Sequence, residues 1–289
     1  MKKFIKIIGI IFLIIVILIA ALIVKVIIDQ RSYAEDQQKM PKTEEELIVE
    51  RFEVPRSGKD SVSVNLYIPE SETKTPVIFN IHGGAFIGGH ADTLDTQSDR
   101  ISKSWNTVVV TVNYKLAKDG ISIEYGIEGI VNTVKYFMDH ADEYNLDTDK
   151  FVVMGYSAGG YHALMTALNL KKEGIDLAAQ VLCYPYIEDA ANVYAVLSEE
   201  QQTTLALALF VLAGSDPIGD GSLLYEELLR NSGIQTAVKK YENTTHGFLE
   251  ENNPEYKELN NKPSKPPEQE EKAQEAENDI CAWLKEILK

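Results

Sequence analysis

Cysteine is nearly absent from this 289-residue chain; Cys183 and Cys281 are the only two. Two cysteines so far apart exclude both a disulfide framework and a cysteine-based metal site. Both are expected as free thiols, Cys183 in an apolar strand pattern and Cys281 in a terminal helix. Positive charge is also scarce, with 28 Lys and Arg against 44 Asp and Glu, a formal balance of −16. Four of the lysines (Lys2, Lys3, Lys6 and Lys25) fall within the first 28 residues, which contain no acid, so the rest of the chain stands at −20. Such a body repels phosphate backbones, and nucleic acid is excluded as a partner. No internal repeat is visible.

Charge is missing altogether from residues 7–24, IIGIIFLIIVILIAALIV. At ~1.5 Å per residue such a helix would span about 27 Å, close to the ~30 Å hydrocarbon core of a bilayer. With Lys2, Lys3 and Lys6 before it, residues 1–28 read as an uncleaved signal anchor with the body on the extracytoplasmic side. The membrane would then be one partner of the chain. The competing reading is a cleaved signal peptide ending near Ser32-Tyr33-Ala34, which would give a secreted protein. Residues 29–47 are polar and read as a tether, leaving 48–289 as one globular domain.

That domain alternates short apolar runs with helical spacing. Ser63–Ile68 alternates as a half-buried strand does, while Val77–Ile81 and Val108–Val112 are continuous, as in strands covered on both faces. Helical spacing over Gly126–His140 follows. Then come a strand at Phe151–Met154, a helix at Ala158–Leu170, strands at Ala178–Tyr184 and Leu207–Ala213, a helix at Leu223–Asn231 and a strand at Thr236–Tyr241. A final helix turns Ile280, Trp283, Leu284, Ile287 and Leu288 inward. This order predicts an α/β fold with a mostly parallel central sheet flanked by helices. Residues 251–278, rich in Glu, Asn, Lys and Pro, are expected as an exposed excursion.

Two glycine-rich clusters follow strands. Gly155-Tyr156-Ser157-Ala158-Gly159 is G-x-S-x-G between a strand and a helix, the context of a nucleophile elbow. A serine hydroxyl needs a base. In such sheets the acid and then the histidine follow the serine along the chain. Only His162 and His246 follow Ser157. His162 lies inside the helix and reads as a helix-face residue. His246 lies in a loop beyond the last strand and is the expected base. Asp216, directly after the strand that ends in Ala213, is the expected acid, with Asp220 as the competitor. The first cluster, His82-Gly83-Gly84, leaves strand Val77–Ile81. Its bare amides at Gly83 and Gly84, with that of Ala158, are expected to face a developing oxyanion. His82 is expected to support the loop.

Together these motifs resemble the hormone-sensitive-lipase-like esterase and lipase branch of the α/β-hydrolase superfamily. His82-Gly83-Gly84-Ala85-Phe86 resembles the family's H-G-G-G-F, Asn113-Tyr114-Lys115-Leu116-Ala117 its D-Y-R-L-A, Gly155–Gly160 its G-D-S-A-G-G, and Asp216-Pro217-Ile218 its D-P-L. Tyr156 departs from the pattern, standing where the family has an acid. The resemblance covers roughly residues 60–250. It implies an α/β-hydrolase fold over residues 48–289 and ester hydrolysis through an acyl-enzyme, without metal or organic cofactor. The stretch 186–205 leaves room for only a reduced lid. The substrate is therefore expected to be a short-acyl small-molecule or carbohydrate ester. The alternatives are a serine peptidase or amidase on the same fold, or a catalytically silent binding protein.

Overall fold

Val108–Asn113 and Thr75–Ile81 send alternate side chains into two separate cores: Val77, Phe79, Ile81, Val108, Val110 and Val112 into one, Ile78 and Val109 into the other. Burial on both faces is what makes these runs continuously apolar. The computed structural model describes residues 49–252 and 267–289.

Eight strands form one sheet in the order β1-β2-β4-β3-β5-β6-β7-β8. They are β1 (Glu50–Val54), β2 (Val62–Tyr67), β3 (Thr75–Ile81), β4 (Val108–Asn113), β5 (Leu146–Tyr156), β6 (Ala179–Cys183), β7 (Leu207–Ala213) and β8 (Thr236–Tyr241). β1 and β2 are antiparallel, and every pair from β4 to β8 is parallel. The helices are α1 (Asp95–Trp105), α2 (Ile123–Asp139), α3 (Ala158–Lys172), α4 (Ala190–Tyr194), α5 (Glu199–Gln202), α6 (Asp220–Asn231) and α7 (Pro267–Ile287). α2, α3 and α6 cover one face of the sheet, and α1 and α7 the other.

Two expectations need correction. No helix among the described residues is long and apolar enough to cross a membrane, so the single-pass membrane placement is not upheld. Residues 7–24, on which it rested, and the tether at 29–47 lie outside the described residues. The stretch 251–278 is not one exposed excursion: from Pro267 it forms the first turns of α7, which bury Ala273 and Ala276. Its Glu, Ala, Gln and Lys residues are good helix formers, and charge on the outer face hid the inner one.

α1 and β1 carry no apolar pattern that predicts them. The inward face of α1 is mostly polar, with Asp95, Gln97, Ser98 and Ser102 buried beside a single aliphatic residue, Ile101. Gln97 accepts a hydrogen bond from the Tyr156 hydroxyl at 3.0 Å and donates to Glu277 of α7 at 2.9 Å. Arg100 closes this chain by donating to both Glu277 oxygens at 2.7 Å. Tyr156, the departure from the family motif, is thus the buried anchor that ties the end of β5 to both helices of that face.

Candidate active site

The parallel strands all end on one edge of the sheet, and loops there carry the expected site residues, as is usual for open α/β sheets. β5 ends at Tyr156 and α3 begins at Ala158, leaving Ser157 alone to make the turn. Its φ of 53° and ψ of −117° lie outside the regions a side chain normally allows,. Space is as tight as the angles. A Cβ on Gly155 would stand 2.1 Å from the Gly159 carbonyl oxygen, and one on Gly159 would stand 2.2 Å from that of Ile81. Small residues on either side of the serine are therefore a packing requirement.

Two further loops converge on that turn. After β7, Asp216 is held by the Ile218 amide, which donates to its Oδ1 at 3.0 Å. After β8, His246 follows Thr245, whose amide and hydroxyl both donate to Gln269 of α7 at 3.1 Å. The two loops are stitched together by the Ser215 amide, which donates to the Thr244 carbonyl at 2.9 Å. The result is a continuous chain. His246 Nδ1 lies 2.7 Å from Asp216 Oδ2, and His246 Nε2 lies 2.7 Å from Ser157 Oγ. The Asp216 carboxylate is 2% exposed and the imidazole 33% exposed. Asp220 opens α6 and faces solvent, away from this chain.

The loop after β3 lies beside the serine. His82 is 1% exposed and stacks on Tyr114 at 4.3 Å. Burial pushes its pKa down to about 3, so the ring is neutral at ordinary pH,. His82 Nδ1 is 2.7 Å from the Gly83 carbonyl oxygen, which can only accept, so the proton sits on Nδ1,. A trans peptide points its N–H opposite to its C=O. Holding the Gly83 carbonyl toward His82 therefore turns the Gly84 amide the other way. The Gly84 carbonyl in turn accepts from Ile87 at 3.2 Å and Gly88 at 2.9 Å. Ala158 opens α3, where backbone N–H groups have no intrahelical acceptor,. Gly83 does not act as expected. Its amide donates to Glu250 Oε1 at 2.8 Å in the interior, so it is engaged within the protein. Of the three amides expected to face an oxyanion, that of Gly83 is thus committed to Glu250. His162 is buried and neutral against Tyr114, its pKa also lowered to about 3 by burial, and it takes no part in the chain.

Sequence reasoning missed Gln97, Glu250 and Gln269. Each is a polar residue in a polar stretch, and only its burial sets it apart.

Comparison with known proteins bears on the fold. A family described as alpha/beta hydrolase fold matches residues 78–204, from β3 through the elbow to the stretch before β7. Over these residues the chain resembles proteins of the α/β-hydrolase fold. Among similar proteins, an arylesterase of Saccharolobus solfataricus is 27% identical over 222 residues, covering 64% of this chain and 72% of the relative. An acetyl esterase of Salmonella choleraesuis (strain SC-B67) is 34% identical over 126 residues, covering 43% of this chain and 38% of the relative. The match thus spans well under half of that acetyl esterase. Among solved structures, a hyperthermophilic esterase from Pyrobaculum calidifontis superposes with a TM-score of 0.68 at 23% identity, covering 90% of each chain. A bacterial heroin esterase does so with a TM-score of 0.69 at 20% identity, again over 90% of each. These two establish the shared fold.

Proposed function

We propose that the protein hydrolyses short-acyl carboxylic esters, of small molecules or carbohydrates, through a Ser157–His246–Asp216 triad. The hydrogen-bonded chain across three loops, with both contacts to His246 at 2.7 Å, carries this reading. Ser157 Oγ forms a bond to the ester carbonyl carbon as its proton passes to His246 Nε2. The carbonyl oxygen becomes an oxyanion and is met by the amides of Gly84 and Ala158. Asp216 holds Nδ1 protonated and offsets the charge gained by the imidazole. Collapse of the intermediate expels the alcohol, which takes the proton from Nε2. Water then repeats the sequence on the acyl-enzyme, returning Ser157 and releasing the acid.

The preference for short acyl groups rests on where residues 186–205 go. Ile187, Ala190, Tyr194 and Leu197 fold down into the main core, and Tyr194 packs edge-on against Tyr225 of α6 at 5.8 Å. Little of this stretch is left to roof the serine or form a long acyl tunnel. The test is a panel of p-nitrophenyl esters of rising chain length, with the full chain and Ser157→Ala side by side. Acetate to butyrate should be turned over best, and the variant should lose on the order of 10³-fold or more. Equal turnover by the variant would remove Ser157 from the mechanism. A preference for decanoate would remove the short-acyl assignment.

A further inference from the structure

Glu250 is 4% exposed, and a buried carboxyl group is costly unless it is hydrogen-bonded for a purpose,. It sits four residues beyond His246, in the short 3-10 turn Glu250–Asn252. The loop between them is pinned by Phe248 and Leu249, both buried in the second core. Its Oε1 accepts from the Gly83 amide at 2.8 Å, 167 residues away in sequence. The fit is close. A Cβ on Gly83 would stand 2.7 and 2.9 Å from the two Glu250 oxygens. The Glu250 amide faces the Tyr184 hydroxyl at 3.4 Å, and the Tyr184 ring lies edge-on to His246, with ring centres 5.1 Å apart.

We propose that Glu250 is a positioning residue for the oxyanion site, clamping the Gly83 amide to the loop that carries His246. The inference rests on the esterase reading above. Gly83 is then held at both ends, its N–H by Glu250 and its C=O by His82. With both ends fixed, the next peptide has one orientation, and the Gly84 N–H is aimed before substrate arrives. A single side chain thereby sets the spacing between the donor loop and the base loop, the two parts that must meet the same tetrahedral carbon. Release of the clamp leaves a buried amide unpaired, and the loop turns to satisfy it. The effect belongs to the transition state, because the ground-state ester makes little use of the oxyanion donors.

Kinetics with p-nitrophenyl acetate test this, together with inhibition by a short alkyl trifluoromethyl ketone, whose serine hemiketal places an oxyanion in the same position. Glu250→Gln keeps an oxygen that can accept from Gly83 and should stay within about threefold of wild type. Glu250→Ala should lose about 10- to 100-fold in kcat with KM changed less than twofold, and its ketone affinity should fall in parallel. Glu250→Asp keeps the charge but withdraws the carboxyl by about 1.5 Å. It should show the same split, and it serves should the alanine variant not fold. A merely structural Glu250 would lower the melting temperature and leave kcat and ketone affinity per folded molecule unchanged, which overturns the proposal. So does a loss of kcat without a loss of ketone affinity. Absence of wild-type turnover would overturn the esterase reading and this inference together, whereas wild-type turnover with indifferent variants overturns the inference alone.

Discussion

Gly159→Ala adds one carbon where the elbow helix meets the end of β3. That carbon would stand 2.2 Å from the Ile81 carbonyl oxygen and 2.4 Å from that of His82, both backbone atoms. Neither neighbour is a flexible side-chain tip that can swing away. To reach even 3.0 Å, the start of α3 must retreat from β3 by about 0.8 Å. Ser157 and Ala158 ride on α3, while Gly83 and Gly84 ride on β3, so the retreat opens the space between nucleophile and donor loop. Overpacking of this kind costs about 1–3 kcal/mol of stability. A misplacement near 1 Å at a reacting centre costs on the order of 10²-fold in rate. Both losses are expected in the same protein, read as a lower melting temperature and a kcat reduced about 100-fold at temperatures where the variant remains folded. Gly129→Ala in α2 is the control. Its nearest neighbour is the Val62 side chain at 3.2 Å, and alanine is the better helix former,. It should change stability by less than about 1 kcal/mol and leave kcat alone. Wild-type kcat and melting temperature in Gly159→Ala would refute the close approach of α3 to β3 on which the site geometry depends.

Asp216→Asn should lower kcat by about 10⁴, because an amide at Nδ1 favours the wrong imidazole tautomer. Asp220→Asn should leave kcat within twofold, and a reversal of the two would move the acid. Stability should fall in mild acid. Burial lowers the pKa values of His82 and His162 to about 3 against 6.5 unfolded, so the unfolded chain binds more protons between pH 6.5 and 3,. Their contribution is complete above pH 6.5 and is lost as pH falls toward 3. At pH 5 it has dropped by about 2 kcal/mol for each histidine. Asp95 acts in the opposite sense: burial raises its pKa to about 6 against 3.8, so its contribution is present at low pH and lost as pH rises through 6. Urea unfolding at pH 5.0 and 7.5 should show the net acid loss, and His162→Leu should reduce it. An unchanged pH dependence in that variant would show that His162 is not held neutral.

What was legible in the sequence, and what was not, divides along one physical line. Ser157 and Asp216 could be picked out because each stands just beyond an apolar strand buried on both faces, and His246 because it is one of two histidines after the serine and lies in a loop beyond the last strand, the half-exposed edge strand β8. α1 could not, because its buried face carries Asp95, Gln97, Ser98 and Ser102 beside Ile101, and one aliphatic residue among four polar ones makes no apolar period to detect,. Glu250 was hidden for the same reason: in Phe248-Leu249-Glu250-Glu251 nothing distinguishes a buried acid from a solvated one. Gly83 shows a subtler limit. Glycine in the first loop marks where backbone must be bare, but composition does not say which way an amide points. Its bareness serves the Glu250 carboxyl, whose oxygens would lie within 3 Å of any Cβ, whereas Gly84 is bare at a φ of 127° that only glycine adopts with ease,. Two adjacent glycines, alike in sequence, thus answer two different demands. The first leaves room for the Glu250 carboxyl that its amide meets, and the second allows the turn after β3. Directions of this kind depend on a partner 167 residues away, and so they become visible only once the chain has folded.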